Sequence, residues 1–123
     1  MTKKKVLIVE DEESLLKLES ILLTSKGYDV KGVTNGRAAL DVLASEGADL
    51  VLLDIMLPEI DGFEVCRCIK DDASTQHIPV IMLTAKKSRE DMAKGKSVGA
   101  DWYITKPFKS AMVIETIQRF LSQ

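Results

Sequence analysis

Charged and hydroxyl side chains follow the short apolar runs of this sequence. Carboxylates follow two of the runs, and a threonine and a lysine follow two others: Glu10, Asp11 and Glu12; Asp54; Thr84; and Lys106. If the runs are parallel strands, their carboxyl ends meet at one edge of a sheet, where such folds place their sites. Crowded carboxylates raise one another's pKa, and a divalent cation removes that cost. Because oxygen donors without thiolate or imidazole favour Mg2+, we expect Asp11 and Asp54 to hold that ion.

Asp54 has the surroundings of a carboxylate nucleophile for phosphoryl transfer. That reaction asks a protein mainly to position the reactants and to neutralise charge. The metal ion, Lys106 and the Thr84 hydroxyl would each interact with one phosphoryl oxygen. The alternative is that these residues are polar strand ends and helix caps that face water, as Asp, Ser and Thr often do. Their occurrence together at one edge of the sheet favours a site.

The apolar runs themselves predict five strands. They span Val6–Val9, Asp29–Val33, Leu50–Leu53, Val80–Leu83 and Trp102–Thr105. The first, third and fourth are apolar on successive residues, as is typical of a parallel sheet that is covered on both faces. The second and fifth are less apolar and are expected at the edges. Because helical segments alternate with the strands, the sequence predicts an α/β fold of the (βα)5 type, with helices on both faces.

Apolar residues at three- and four-residue spacing predict the helices. The stripes of the first, second, third and fifth helices are Leu15, Leu18, Ile21 and Leu22; Ala38, Ala39, Val42 and Leu43; Phe63, Val65, Cys66 and Ile69; and Met112, Val113, Ile117, Phe120 and Leu121. Gly27 is expected to end the first helix, Asn35 to cap the second, and Ser88 with Asp91 to cap the fourth. The fourth helix is poor in apolar residues and is interrupted by Gly95.

Length and composition describe one small globular domain. The chain has 123 residues, of which 46% are hydrophobic and 29% are charged, and this balance excludes a disordered or fibrous chain. The net charge of -2 does not favour direct DNA binding. No apolar run approaches the ~20 residues of a membrane span, so we expect a cytoplasmic protein without membrane insertion. Cys66, Cys68 and His77 do not supply the four ligands of a zinc site.

Five motifs, in order, resemble the receiver domain of two-component response regulators. They are Val9-Glu10-Asp11-Glu12, Leu53-Asp54-Ile55-Met56-Leu57-Pro58, Asp61-Gly62, Met82-Leu83-Thr84-Ala85 and Tyr103-Ile104-Thr105-Lys106-Pro107-Phe108. A lone Lys-Pro or Asp-Gly is weak evidence, whereas all five motifs at these spacings are very specific. The resemblance extends from Lys5 to Leu121. It implies a flavodoxin-like three-layer sandwich with parallel strand order 2-1-3-4-5, and one response regulatory domain over residues 1–123 without an output domain.

The resemblance implies a metal-dependent phosphorylation site. Asp54 is expected to be the phosphoacceptor, and Asp11 is expected to bind Mg2+ directly. Glu10 would reach the same ion through water, although many members of the family have Asp at that position. The backbone carbonyl of Met56 would be a further ligand. The side chain at position 56 also belongs to a pair of positions, together with Lys86, that tune the rate of dephosphorylation in this family.

A second group of residues is implied to carry the switch. Thr84 and Lys106 would hold phosphoryl oxygens in the active state, and Tyr103 would turn inward when the Thr84 hydroxyl moves toward the phosphate. The peptide bond before Pro107 is expected to be cis. The poorly apolar fourth helix fits a segment that shifts easily between two states.

The implied function is a phosphorylation-dependent signalling switch. The protein would accept a phosphoryl group from a histidine kinase or a phosphotransfer protein, and would catalyse only its own phosphorylation and dephosphorylation. The first helix, including Ser14, Leu15 and Lys17, would form much of the docking surface for the kinase. The downstream protein is unknown. Trp102 replaces the Asp of relatives that dimerise through ion pairs, so it either anchors a partner or lies flat on the fifth helix.

Other functions fit the sequence less well. A phosphatase of the haloacid dehalogenase type needs an Asp two residues after the nucleophile, and Met56 cannot donate a proton. A nucleotide-binding module needs a glycine-rich loop after the first strand, and this sequence has none there. Two alternatives within the family stay open, which are a receiver fragment of a longer regulator and an adaptor that is never phosphorylated.

Overall fold

A computed structural model describes residues 3–122 of the chain. The strands are β1 (Lys5–Val9), β2 (Asp29–Val33), β3 (Leu50–Leu53), β4 (Val80–Thr84) and β5 (Trp102–Thr105). The helices are α1 (Glu13–Ser25), α2 (Gly36–Ser45), α3 (Gly62–Asp71), α4 (Arg89–Ser97) and α5 (Ser110–Leu121). Strands and helices alternate throughout, as the sequence predicts.

The five strands form one parallel sheet in the order β2-β1-β3-β4-β5. The predicted fold, strand order and edge strands are therefore confirmed. The ends of β1 and β3 are level, because Val9 pairs with Leu53, and so are the ends of β4 and β5, because Thr84 pairs with Thr105. Residues that follow β1, β3, β4 and β5 consequently lie side by side at one edge of the sheet.

Two hydrophobic cores lie on opposite faces of the sheet and make the molecule a three-layer sandwich. Alternate residues of each strand point to opposite faces, so that Leu7 and Val9 belong to one core while Val6 and Ile8 belong to the other. Residues of α2 and α3 fill the first core, and residues of α1 and α5 fill the second. Because both faces are covered, the central strands are fully buried, which explains their unbroken apolar sequence.

Local side-chain contacts set several helix boundaries. Asn35 caps α2 by accepting a hydrogen bond from the Ala38 backbone N–H at 2.8 Å. Ser88 caps α4, since its hydroxyl accepts from the Asp91 N–H at 3.0 Å and donates to the Asp91 carboxylate at 2.8 Å. Gly27 follows α1 with a φ of 95°, a left-handed conformation that favours glycine. All three predicted helix ends are confirmed.

The predicted apolar face of α1 is wrong. Leu18 and Ile21 are exposed, and the residues that face the sheet are Leu16, Glu19 and Leu23. Since α1 carries leucine or isoleucine on more than one side, spacing alone does not identify the side that packs. The sheet selects the side that contains a glutamate and leaves an apolar stripe in solvent.

Helix α4 packs loosely, in agreement with its sequence. Gly95 is the one buried residue among the nine of this helix. Met92 is exposed, and so is Met112 on α5. Among residues 3–122, no helix has the length and apolar character that crossing a membrane requires.

Candidate functional site at the carboxyl edge of the sheet

An acidic cluster lies at the ends of β1 and β3. Carboxylate oxygens of Glu10, Asp11 and Asp54 all lie within 4.8 Å of one another. Glu10 is only 2% exposed and Asp54 only 6% exposed, whereas Asp11 is open to solvent. The structure thus brings together the three carboxylates that the sequence places at neighbouring strand ends, with one of them at the entrance.

Lys106 neutralises part of this cluster from the end of β5. Its Nζ donates to Glu10 Oε1 at 2.9 Å and to Asp54 Oδ2 at 3.2 Å. Its backbone N–H donates to the Thr84 carbonyl at 2.8 Å, and the following bond to Pro107 is cis, as predicted. One ammonium therefore bridges two buried carboxylates that come from different strands.

Burial and neighbouring charges both shift the pKa values of Glu10 and Lys106. Burial raises the pKa of Glu10, and the Asp54 carboxylate adds to that rise, while the hydrogen bond from Lys106 counteracts it. Burial alone would lower the pKa of Lys106, but its hydrogen bond to Glu10 and the negative charge of Asp54 outweigh burial and raise it. The cluster keeps an excess of negative charge, which a cation would neutralise.

The loop after β3 fixes the position of Asp54. The Met56 N–H donates to Asp54 Oδ1 at 3.1 Å, and the Gly62 N–H donates to the Ile55 carbonyl at 2.8 Å. A Cβ at Gly62 would lie 2.4 Å from the Asp54 carbonyl oxygen and 2.5 Å from Ile55 Cα. This close backbone approach explains why glycine follows Asp61, whose side chain caps α3 by accepting from the Glu64 N–H at 3.0 Å.

Thr84 ends β4, the strand beside β3. It is fully buried, and its Oγ1 accepts a hydrogen bond from the Lys86 N–H at 3.3 Å. The same residue, Lys86, contacts Tyr103, because the Tyr103 hydroxyl donates to the Lys86 carbonyl. Thr84 and Tyr103 are therefore joined through one residue of the β4–α4 loop.

Tyr103 and Trp102 lie on the surface formed by α4, β5 and α5. Burial, together with the nearby Asp91 and Asp54 charges, raises the pKa of Tyr103 to about 12. Trp102 is half-exposed and lines one groove with Met112 of α5 and another with Met92 of α4. About half of the Trp102 surface is thus available for contact with another molecule.

The donor set of the acidic cluster fits Mg2+. It consists of carboxylates alone, two of them buried, and it contains no thiolate or imidazole. Cys66 is buried in α3 and Cys68 lies nearby on the same helix, and both are free thiols away from the cluster.

Sequence reasoning missed one residue near this site, which is Glu19. It is a buried carboxyl on the sheet side of α1, and burial raises its pKa to about 7. The signal was present in the sequence, since Glu19 follows Leu16 and precedes Leu23 at helical spacing. This spacing indicates a buried glutamate only once it is known that Leu16 and Leu23 lie on the packing side of α1.

Comparison with known families supports the geometry. Residues 6–118 match the family model described as the response regulator receiver domain. The polar-differentiation response regulator DivK of Brucella anthropi is 42% identical over 118 residues, which cover 96% of each chain. The response regulator PleD of Caulobacter vibrioides is 39% identical over 114 residues, covering 93% of this chain and 25% of PleD. The chain thus spans about a quarter of that relative.

Solved structures agree with the fold. The chemotaxis response regulator CheY4 of Vibrio cholerae superimposes with a TM-score of 0.91 at 33% sequence identity. The superposition covers 98% of this chain and 100% of that one.

Proposed function

Since this chain belongs to the response regulator receiver domain family, we propose that it is a switch that is phosphorylated on Asp54. The observation that carries the proposal is the bridge from Lys106 to Glu10 and Asp54 within the acidic cluster. A buried carboxylate with one oxygen on a lysine and the other on a backbone N–H is held in one orientation. Such orientation is the main requirement of phosphoryl transfer.

Glu10, Asp11 and Asp54 would hold Mg2+, with the backbone carbonyl of Met56 as a further ligand. The bound ion would supply positive charge beside the phosphoryl group. Asp11 is the exposed member of the cluster, so it would be the first carboxylate that an arriving ion meets. The excess negative charge of the site supports this assignment.

The remaining site residues would act on the phosphoryl oxygens. Lys106 would donate to one oxygen through the ammonium that now binds Asp54. The Thr84 hydroxyl would donate to another, since within residues 3–122 its oxygen accepts a hydrogen bond from the Lys86 N–H and its proton is not donated. Because the Tyr103 hydroxyl binds the same loop residue, a movement of Thr84 would be transmitted to the α4–β5 surface.

The phosphoryl donor would be a histidine kinase or a phosphotransfer protein that docks on α1. The exposed apolar side chains of Leu18 and Ile21 support this surface, because apolar residues left in solvent often mark a binding face. Ser14 and Lys17 are exposed beside them, and Leu15 is half-buried. These residues adjoin the site, since α1 begins just after Asp11 and Glu12.

The output would be contact with a downstream protein through the surface around Trp102. Trp is enriched at the centres of protein interfaces, and here it lies beside Tyr103. We propose that the chain works as one receiver unit in the cytoplasm and without direct DNA binding. Its identified chemistry would be limited to its own phosphorylation and dephosphorylation.

Intact mass spectrometry after incubation with acetyl phosphate tests the proposal. We expect a phosphoryl adduct on the wild type with Mg2+, a strong reduction with EDTA, and no adduct on Asp54→Asn. Asp61→Asn is a matched control, because Asp61 is an exposed carboxylate that caps α3 outside the cluster. An equal adduct on Asp54→Asn would show that another residue is the acceptor. No adduct on any variant, even with a histidine kinase, would favour the unphosphorylated adaptor.

A further inference from the structure

Glu19 is a buried carboxyl on the side of α1 that packs against the sheet. It lies one turn after Leu16 and one turn before Leu23, and both of these side chains belong to the core on this face. Glu19 is only 5% exposed. Its Oε2 is inaccessible to solvent and has no hydrogen-bond partner among the described residues. A buried carboxylate oxygen without a partner is unfavourable, so the position requires an explanation beyond packing.

The charged groups with the largest effect on the pKa of Glu19 lie at the carboxyl ends of the strands that carry the candidate site. They are Glu10 and Glu12 at the end of β1, Asp54 at the end of β3 and Lys106 at the end of β5. From α5, the other helix on this face, the buried Thr116 hydroxyl donates to the Met112 carbonyl at 2.8 Å and is thus already used. Glu19 therefore responds to the charge of the site without being one of its three clustered carboxylates.

The charge of the cluster explains why a proton belongs on Glu19. The cluster contains three carboxylates, those of Glu10, Asp11 and Asp54, and Lys106 contributes one ammonium that binds two of them. Burial, to which the Glu10 carboxylate adds and which the Lys106 ammonium opposes, raises the pKa of Glu19 to about 7. A second positive charge at the cluster would favour the ionised form of Glu19.

We propose that Glu19 is a positioning residue of the phosphorylation site, which gives up its proton when a divalent cation joins Glu10, Asp11 and Asp54. Ionised Glu19 acts through Lys106, because its buried negative charge interacts with the ammonium that binds Glu10 and Asp54. Cation binding then strengthens as the pH rises through neutrality. The cation part of this inference rests on the proposed function, whereas the coupling of Glu19 to Lys106 and Asp54 does not.

Carboxyl NMR titration of the full chain without metal tests the coupling. We expect Glu19 to titrate near neutrality in the wild type. Its midpoint should rise by about half a pH unit in Lys106→Met and fall by a similar amount in Asp54→Asn. The exposed Glu115 carboxyl on α5 is the internal control and should keep its midpoint in all three proteins. A Glu19 midpoint that ignores both substitutions overturns the coupling.

Calorimetric titration with MgCl2 at pH 7, in two buffers of different ionisation enthalpy, tests the cation part. The wild type should release protons on binding, and the isosteric Glu19→Gln variant should release fewer. Between pH 6 and pH 8 the Mg2+ affinity of the wild type should gain about threefold over that of Glu19→Gln. Equal proton release by both proteins overturns the inference while the Mg2+ site stands. Absence of Mg2+ binding overturns the cation part together with the proposed metal site, and the metal-free NMR result separates the two failures.

Discussion

Helices α3 and α4 have similar lengths, yet they are held in different ways. Of the ten residues of α3, five are buried: Gly62, Phe63, Val65, Cys66 and Ile69. Of the nine residues of α4, all of which the structure describes, only Gly95 is buried. Helix α3 fixes the loop that carries Asp54, and helix α4 lies beside Tyr103 and Trp102. The Asp54 carboxylate is thus positioned by the tightly packed helix α3, and the proposed output surface includes the loosely packed helix α4.

Local interactions hold α4 where packing does not. Ser88 caps its first turn, which also contains Glu90 and Asp91, and its last turn contains Lys94 and Lys96. Negative charge near the first turn and positive charge near the last both stabilise the helix dipole, by about 0.3–1 kcal/mol for each charge. The cap and the terminal charges stabilise the helix itself without fixing it to the sheet. An element of this kind can move at low cost when its neighbours change.

Adding one methyl group to each helix tests the difference between α3 and α4, and Gly62→Ala in α3 should have the largest effect. The new Cβ would overlap the Asp54 carbonyl oxygen and Ile55 Cα, both of which are backbone atoms that cannot rotate away. We expect a loss of about 3 kcal/mol in the free energy of unfolding, measured by urea denaturation. The phosphoryl adduct should fall as well, because the Asp54 backbone has to shift. A loss below about 1 kcal/mol would mean that the loop after β3 is adaptable.

Most of the fold and much of the candidate site follow from the sequence. The five strands are predicted to within one residue, because buried parallel strands have unbroken apolar runs and turn residues bound them. The grouping of Glu10, Asp11, Asp54 and Lys106 follows from the rule that parallel strands end at one edge. Hydrogen-bond partners such as Lys86 do not follow, since they depend on the path of a loop.

The packing side of α1 marks the limit of sequence reasoning. Spacing identifies a helix, but several sides of α1 are apolar, and the choice among them depends on the sheet beneath. Leu18 and Ile21 would satisfy a core as well as Leu16 and Leu23 do. The sheet nevertheless buries Glu19 and exposes two apolar residues, which is the arrangement that hydrophobic burial alone would disfavour. Both features have a proposed role, since buried Glu19 is assigned to the phosphorylation site and exposed Leu18 and Ile21 to the docking surface on α1.

A second, smaller effect concerns α1, on the face of the sheet opposite α3, where Glu19→Gln should make stability less dependent on pH. The native state keeps the Glu19 proton up to pH about 7, whereas the unfolded chain loses it near pH ~4.3. Between these values the native state binds more protons, so the stability of the wild type falls as the pH rises. At pH 8 we expect Glu19→Gln to be more stable by about 2 kcal/mol, and at pH 5 by less than ~1 kcal/mol.

Urea denaturation at pH 5, 6, 7 and 8 measures this difference. Glu115→Gln, which removes an exposed carboxylate of α5, is the control and should follow the wild type at every pH. Native Trp102 fluorescence should be unchanged in Glu19→Gln, because α1 packs over β1 and β2 whereas Trp102 lies on β5 at the opposite edge of the sheet. Parallel stability profiles for the wild type and Glu19→Gln would show that Glu19 does not hold a proton at neutral pH.

The smallest expected effect comes from Gly95→Ala in the loosely packed helix. A Cβ at this position would lie 3.0 Å from Tyr103 Cδ2 and 3.2 Å from Met82 Sδ, which are side-chain atoms that are able to move. Alanine also favours a helix over glycine by about 1 kcal/mol, which offsets the crowding. We expect the free energy of unfolding to stay within about 1 kcal/mol of the wild type. Trp102 fluorescence should nevertheless change, because the Tyr103 ring must shift on β5. A loss as large as that of Gly62→Ala would show that α4 is fixed to the sheet as firmly as α3, and the division between a rigid site and a movable surface would then fail.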